Sequence, residues 1–324
     1  MKNTLSRFLT LGFALATIAF AAIPAGAQYP DRPVRIQVGF PAGGGADILA
    51  RWYADKLQKA SGGTFIVENK VGASGNLAIN AAGTAKPDGL TLLLASTTTT
   101  AGNAAVFKKM PIDVTKDIVP IVSFAETPFV LAVAPDSPIN SVPDLTAFIK
   151  GKGGKATYGS ATTAALALTA IYLKSAGAQA THVGYKSTAN AVQDVTGRQI
   201  DFAFADVVFA SGQAKQGRIK LLAIGSDGRS PALPNVPSMK DFGAAAGDIT
   251  PLWGLWVRAG TSKDILDKLA KWMNEVTNSD ETQKFLVAQG ATPKSGSPED
   301  YKKRFDAALK AWAEVVVLAK IEAQ

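Results

Sequence analysis

Short strand-like runs alternate with amphipathic helical stretches along most of this 324-residue chain, and that alternation restricts it to an α/β architecture. Val34-Arg35-Ile36-Gln37-Val38 alternates apolar and polar side chains, as a half-buried strand does. A glycine-rich turn follows at Pro41 to Gly45. A helix is predicted from Asp47 to about Ala60. Leu49, Tyr53 and Leu57 fall at i, i+4 and i+8 with Ile48 and Trp52 beside them, while Arg51 and Asp55 take the opposite face. Asp47 is the expected N-cap and Gly62-Gly63 the stop. Phe65 to Glu68 reads as the next strand, Asn76 to Ala85 as a helix and Leu90 to Leu94 as a buried strand. The hydroxyl run Ser96 to Thr100 follows it.

The middle of the chain repeats this grammar. Phe129 to Ala134, Ala156 to Gly159, Thr181 to Tyr185, Asp201 to Phe204 and Leu221 to Ile224 read as strands. Helices are expected from Val142 to Lys150, from the Ser160–Thr163 loop to about Lys174, and near Ala189 to Val195. After Asp248 comes an apolar stretch, Leu252 to Val257, then two amphipathic helices near Lys263 to Asn278 and Pro298 to Leu318. One βα pattern thus occupies about 28–127, a second 128–252, and a tail 253–324. A tail packed on the first unit makes the chain cross between units twice, which creates a hinge and a cleft that closes.

The first residues read as an export signal. Lys2 and Arg7 precede an apolar run from Phe8 to Ile23, Pro24 breaks it, and Ala25-Gly26-Ala27 supplies a small-x-small cleavage pattern. Cleavage is expected after Ala27. The apolar run falls short of the roughly 20 residues of a spanning helix, which disfavours a retained anchor. The chain has no cysteine, so disulfides, thiolate metal sites and cysteine nucleophiles are excluded. Its formal charge of +8 is scattered, with no basic run interleaved with aromatics, and no nucleic-acid partner is expected.

Three segments have the chemistry to hold a ligand. Phe40-Pro41-Ala42-Gly43-Gly44-Gly45-Ala46-Asp47 lies between a strand and a helix start. Glycines there let backbone N–H groups approach a ligand, and the helix N-terminus favours an anion; the same segment also reads as a plain connector. Ser160-Ala161-Thr162-Thr163 is the corresponding loop of the second unit, with hydroxyls that serve equally as N-caps. Ser96, Thr97 and Thr98 end a buried strand at the same cleft edge. Asp206 follows an apolar strand, either facing the crevice or capping the chain from Val207 onward.

Sharper readings fail on detail. A phosphate-binding P-loop needs Lys-Ser/Thr after the glycines, where Asp47-Ile48 stands. A dinucleotide fingerprint needs a third glycine where Ile48 stands, although Glu68 lies about where a ribose-binding acid would. His182 is the sole histidine; it sits in a strand pattern with no acid near it in sequence and reads as structural. No paired-carboxylate, His-x-x-x-His or Gly-x-Ser-x-Gly pattern marks an enzyme, and no cofactor or metal is expected.

Taken in order, these segments resemble the Bug family, the periplasmic receptors of tripartite tricarboxylate transporters (TctC-like). The resemblance is carried by Tyr29-Pro30-Asp31-Arg32-Pro33-Val34-Arg35, by Val38 through Arg51, by Val67-Glu68-Asn69-Lys70 with Gly72 through Asn76, and by Pro87 through Leu93. It continues in His182-Val183-Gly184-Tyr185-Lys186 and Arg229 through Pro237, and spans nearly the whole chain after the signal. It implies a two-lobed, type II-like periplasmic binding fold with two crossovers and a closing cleft, and a monomer that binds a small carboxylate and docks on membrane permease subunits. It also implies that Ala42 to Asp47 hold one carboxylate through backbone N–H groups and that Ser160 to Thr163 help fix the other end, with Tyr185 in the family's second-lobe motif.

Two departures stand out. The family's second loop often reads Ser-x-Gly-x-Gly-Thr, where this chain has Ala161, Thr162, Thr163 and Ala164. The strand after Asp201 often ends Phe-Asp-Asn, and here it ends Phe204-Ala205-Asp206. A changed ligand shape is expected. A receptor that signals to a membrane partner would use the same cleft.

Overall fold

The computed structural model describes residues 29–245 and 249–322. The export signal and its cleavage site lie outside the described residues.

The first sheet has six strands in the order β11-β4-β10-β3-β1-β2. They are β1 Val34–Val38, β2 Phe65–Asn69, β3 Thr91–Ser96, β4 Ile118–Glu126, β10 Leu252–Arg258 and β11 Thr292–Pro293. The second sheet has five strands in the order β7-β6-β8-β5-β9. They are β5 Phe129–Val133, β6 Thr157–Ser160, β7 Thr181–Gly184, β8 Phe202–Asp206 and β9 Lys220–Ile224. The helices in chain order are α1 Gly45–Ser61, α2 Asn76–Gly83, α3 Asn103–Val106, α4 Val142–Gly151, α5 Thr163–Ala176, α6 Thr188–Thr196, α7 Val207–Lys215, α8 Lys263–Thr277, α9 Asp280–Ala288 and α10 Pro298–Leu318.

Both sheets repeat one plan. In the first, β1 pairs in parallel with β2 and β3; in the second, β6 pairs in parallel with β7 and β8. An antiparallel strand then flanks the third, β10 beside β3 and β5 beside β8. The first strand of each parallel trio is therefore a topological switch point, and ligands of open α/β sheets sit at the carboxyl ends of strands there. The chain passes from the first sheet to the second between Glu126 and Phe129, and returns between Ile224 and Leu252. The two passages run side by side: Thr127 donates its N–H to the Pro251 carbonyl at 3.0 Å, and Trp253 Nε1 donates to Thr127 Oγ1 at 2.6 Å.

Packing explains the helices. α1 buries Leu49, Ala50, Tyr53, Ala54 and Leu57, and the Tyr53 ring lies 4.3 Å from that of Phe124 on β4. α10 buries Tyr301, Phe305 and Trp312, and the first two pack on Trp256 of β10. Both apolar cores run through residues of both sheets, Leu93 with Leu131 on one side and Leu94 with Val130 on the other. The lobes are joined by packing as well as by strands.

The described residues contain five elements that periodicity did not suggest: α3, β4, α7, α9 and β11. Pro120 lies inside β4 and argues against a strand interior, but it sits at a register shift against β10 that absorbs the missing N–H. Asp47 is not the N-cap of α1. The helix starts two residues earlier, with Gly44 at the cap position and no side-chain cap. Tyr185 falls just beyond β7, which ends at Gly184.

Candidate functional site

The glycine loop is shaped by its own backbone and by Asp47. Gly43 adopts a φ of +80°, a region that side chains disfavour, and turns the chain after Pro41 and Ala42. Asp47 occupies the third helical position, and its side chain is 4 % exposed. Its Oδ2 accepts from the Gly43 N–H at 2.9 Å and from Arg51 Nε at 2.8 Å, and its Oδ1 accepts from Asn69 Nδ2 at 2.9 Å. Asn69 also donates to the Phe40 carbonyl at 2.9 Å. Burial alone would raise the Asp47 pKa, but the bonds from Arg51, Gly43 and Asn69 outweigh it and hold the carboxyl below its usual range. The aspartate is thus a brace for the loop. With Gly44 at the cap, no side chain caps the N-terminus of α1, which faces the other lobe.

A partly open cavity of about 60 Å³ lies between the lobes. From the first lobe it is lined by Phe40, Pro41, Ala42, Gly44, Gly45 and Ala46 of the loop and α1, and by Ser96, Thr98 and Thr99 at the end of β3. From the second lobe come Thr162 before α5, Ser187, Thr188 and Ala189 at α6, Asp206 before α7, and Phe129 of β5. Thr127, Pro251 and Trp253 form its back wall at the paired crossings. Four helix N-termini therefore converge on one small space. Those of α5, α6 and α7 carry side-chain caps: Thr162 Oγ1 accepts from Ala165 N, Ser187 Oγ from Asn190 N, and Asp206 Oδ1 from Phe209 N. α1 is uncapped.

Nine of the sixteen residues expected from sequence line this cavity: Phe40, Ala42, Gly44, Gly45, Ala46, Ser96, Thr98, Thr162 and Asp206.

 The other seven sit behind it. Thr97 Oγ1 accepts from the Leu252 N–H at 3.2 Å and ties β3 to the returning strand. Thr163 Oγ1 donates to Asn103 Oδ1 at 2.8 Å, a buried bond between the lobes, and Asn103 Nδ2 donates on to the Ser74 carbonyl and to Asn76 Oδ1. Ser160 Oγ pairs with His182 Nε2 at 2.7 Å, and the Tyr158 ring lies 5.2 Å from that imidazole. Burial lowers the His182 pKa, so the ring is neutral at pH 7. Tyr185 donates its hydroxyl to Asp194 Oδ2 at 2.7 Å. Ala161 adjoins the lining residue Thr162, and Asp47 and Gly43 shape the loop as described.

Sequence reasoning missed the contributions of β5, α6 and the crossings. Ser187-Thr188 ahead of a helical run is an N-cap signal that would have pointed to α6, whereas Thr127 and Trp253 meet only in three dimensions.

Two features of the cavity matter chemically. Thr98 is 4 % exposed, and its Oγ1 is buried without a hydrogen-bond partner. Among the described residues Asp206 is the one ionisable residue that lines the cavity. It accepts from Phe209 N and bonds the Thr188 side chain, yet burial dominates and raises its pKa. Among the described residues no group of acidic or histidine side chains could hold a metal ion, and no helix is long and apolar enough to cross a membrane.

Comparison with known proteins agrees with this plan. The chain is 29 % identical over 309 residues to protein BugT of Bordetella pertussis, covering 94 % of this chain and 95 % of that one. Its fold matches the structure of R. palustris Rpa4515 with adipate at a TM-score of 0.87 and 26 % identity, covering 91 % of this chain and 99 % of the other. It also matches a structure described as a periplasmic transporter at a TM-score of 0.86 and 31 % identity, covering 91 % and 100 %. These are solute-binding proteins rather than enzymes. Residues 49–320 match the tripartite tricarboxylate transporter family receptor, TctC, and the chain belongs to that family of periplasmic, Bug-type binding proteins.

Proposed function

We propose that the protein is exported, loses residues 1–27, encloses a small carboxylate between its lobes and delivers it to the membrane subunits of a tripartite tricarboxylate transporter. In this reading residues 28–127 with 253–324 form one lobe and 128–252 the other, and the protein acts as a monomer. The observation that carries it is the convergence of α1, α5, α6 and α7 on one cavity with α1 left uncapped. Each N-terminus favours negative charge, and a site partly withdrawn from water strengthens that preference. A carboxylate at the first turn of α1 would accept from its free N–H groups, and a polar ligand atom would satisfy Thr98 Oγ1. The adipate bound by Rpa4515 supports the ligand class, since that protein shares the fold over most of this chain.

A thermal-shift screen of carboxylic acids against neutral sugars tests the reading. A ligand at 100 times its Kd raises stability by about 2.7 kcal/mol, so a true ligand shifts the melting temperature clearly. Hits among acids with silent sugars are expected. A sugar hit with every acid silent would overturn the assignment.

A further inference from the structure

The charge lining the cavity narrows the ligand class, an inference that rests on the carboxylate-receptor reading. We propose that Asp206 is a specificity-determining residue, which makes the site select a compact acid with one carboxylate and a nitrogen hydrogen-bond donor at its other end, and reject dicarboxylates of the same length.

The argument begins with position. Asp206 caps α7 from the second lobe, and its carboxylate closes against Gly45 at the start of α1 in the first. A ligand between the lobes must therefore meet both the uncapped α1 terminus and this acid. Among the described residues no lysine, arginine or histidine lines the cavity to offset it.

Charge balance follows. Each helix N-terminus carries roughly +0.5 elementary charge, so four of them supply about +2. Burial resists ionisation of Asp206, and a ligand cation beside it offsets that penalty; the ionised carboxylate then removes one unit and leaves about +1, which balances one carboxylate. A second carboxylate would bring an uncompensated charge into an enclosed space beside Asp206, where like charges repel strongly. An ammonium or amide N–H in its place donates to Asp206 and restores the solvation that burial removed from it. The small volume, about 60 Å³, favours a short chain between the two ends.

Isothermal titration with matched pairs tests the proposal. The dicarboxylates are malonate, succinate, glutarate and adipate. Their partners are glycine, β-alanine, 4-aminobutanoate and 5-aminopentanoate, in which an ammonium replaces one carboxylate. At least one amino acid should bind wild-type protein 10-fold or more tighter than its partner. Asp206→Asn should shrink that ratio at least 10-fold, because Asn retains the cap oxygen for Phe209 N but not the charge. Asp206→Ser, which also caps a helix, replaces it if the Asn variant fails to fold. Tighter wild-type binding of dicarboxylates, or a ratio unmoved by a folded variant, overturns this selectivity and leaves the carboxylate-receptor reading standing. Silence from both series overturns the selectivity, and silence from every acid in the broader thermal-shift screen removes the receptor reading with it.

Discussion

The Asp206 carboxylate closes against Gly45 across the interlobe cavity, so tightly that a Cβ on Gly45 would collide with Asp206 Oδ1. One residue begins α1 in the first lobe and the other caps α7 in the second. Glycine at this helix start therefore does more than free the backbone. It lets the opposite lobe come within reach of the helix terminus, so in the proposed receptor closure and ligand contact depend on the same missing side chain.

Gly45→Ala should accordingly spare folding and damage closure. Alanine is a strong helix former, so α1 itself does not suffer. The added methyl meets Asp206 and, at 3.1 Å, Val208 Cβ, and it holds the lobes apart. We expect at least a 10-fold loss in affinity for the best acid from the thermal-shift screen, about 1.4 kcal/mol, with little change in the melting temperature of ligand-free protein. Titration calorimetry and melting curves on both proteins check this.

Asp47→Ala should lower stability by about 2–4 kcal/mol, more than a simple cap substitution costs, because the Gly43 N–H, Arg51 and Asn69 lose a nearly buried charged acceptor together. The pH sign follows from the lowered pKa of this carboxyl. Its contribution is fully present above the unfolded carboxyl value of about 3.9 and is lost as pH falls through the folded value. Urea unfolding at pH 7 and pH 3 should show the variant's deficit shrinking in acid.

How much of this was visible in sequence depends on the range of the interaction. The strand Val34 to Val38 and the helices of Leu49 to Leu57 and Pro298 to Leu318 follow from local periodicity, and they form as expected. β4 was hidden because Pro120 contradicts a strand locally and only the register shift against β10 makes room for it. Asp47 looked like a cap because acids favour helix starts; its actual role needs Asn69, 22 positions away. The glycine loop and the hydroxyl segments pointed to a cleft, but Thr163, Ser160 and Thr97 spend their hydroxyls on Asn103, His182 and the Leu252 N–H. Those partners come from other elements, and no spacing rule brings them together.

Thr98→Val should act in opposite directions on stability and on binding. In ligand-free protein the Thr98 hydroxyl is buried without a partner, and valine has nearly the same shape without the desolvation cost. We expect ligand-free protein to gain about 1 kcal/mol. Affinity should fall by roughly 3- to 10-fold, because the ligand loses the partner that this hydroxyl supplies. Melting curves with and without ligand separate the two effects. A variant that is less stable and binds equally well would assign Thr98 a packing role alone.

The last prediction concerns Asp206 in ligand-free protein and turns on the sign of its shift. Burial is the main cause of its raised pKa, opposed by the Phe209 N–H and the Thr188 side chain. The folded protein therefore holds the Asp206 proton more tightly than the unfolded chain does. Below the unfolded value of about 3.9 the group is protonated in both states and costs nothing. As pH rises toward the folded value, ionisation is resisted in the folded state and stability declines, and above that value the penalty is constant. Asp206→Asn removes the ionisation and keeps the cap, so its melting temperature should match wild type near pH 4 and exceed it at pH 7.5. Among the described residues no other ionisable side chain lines the cavity, so the widening gap reports on this carboxyl. A gap that stays flat between those pH values would mean that burial does not resist ionisation of this carboxyl, and the desolvation assigned to Asp206 would be overturned.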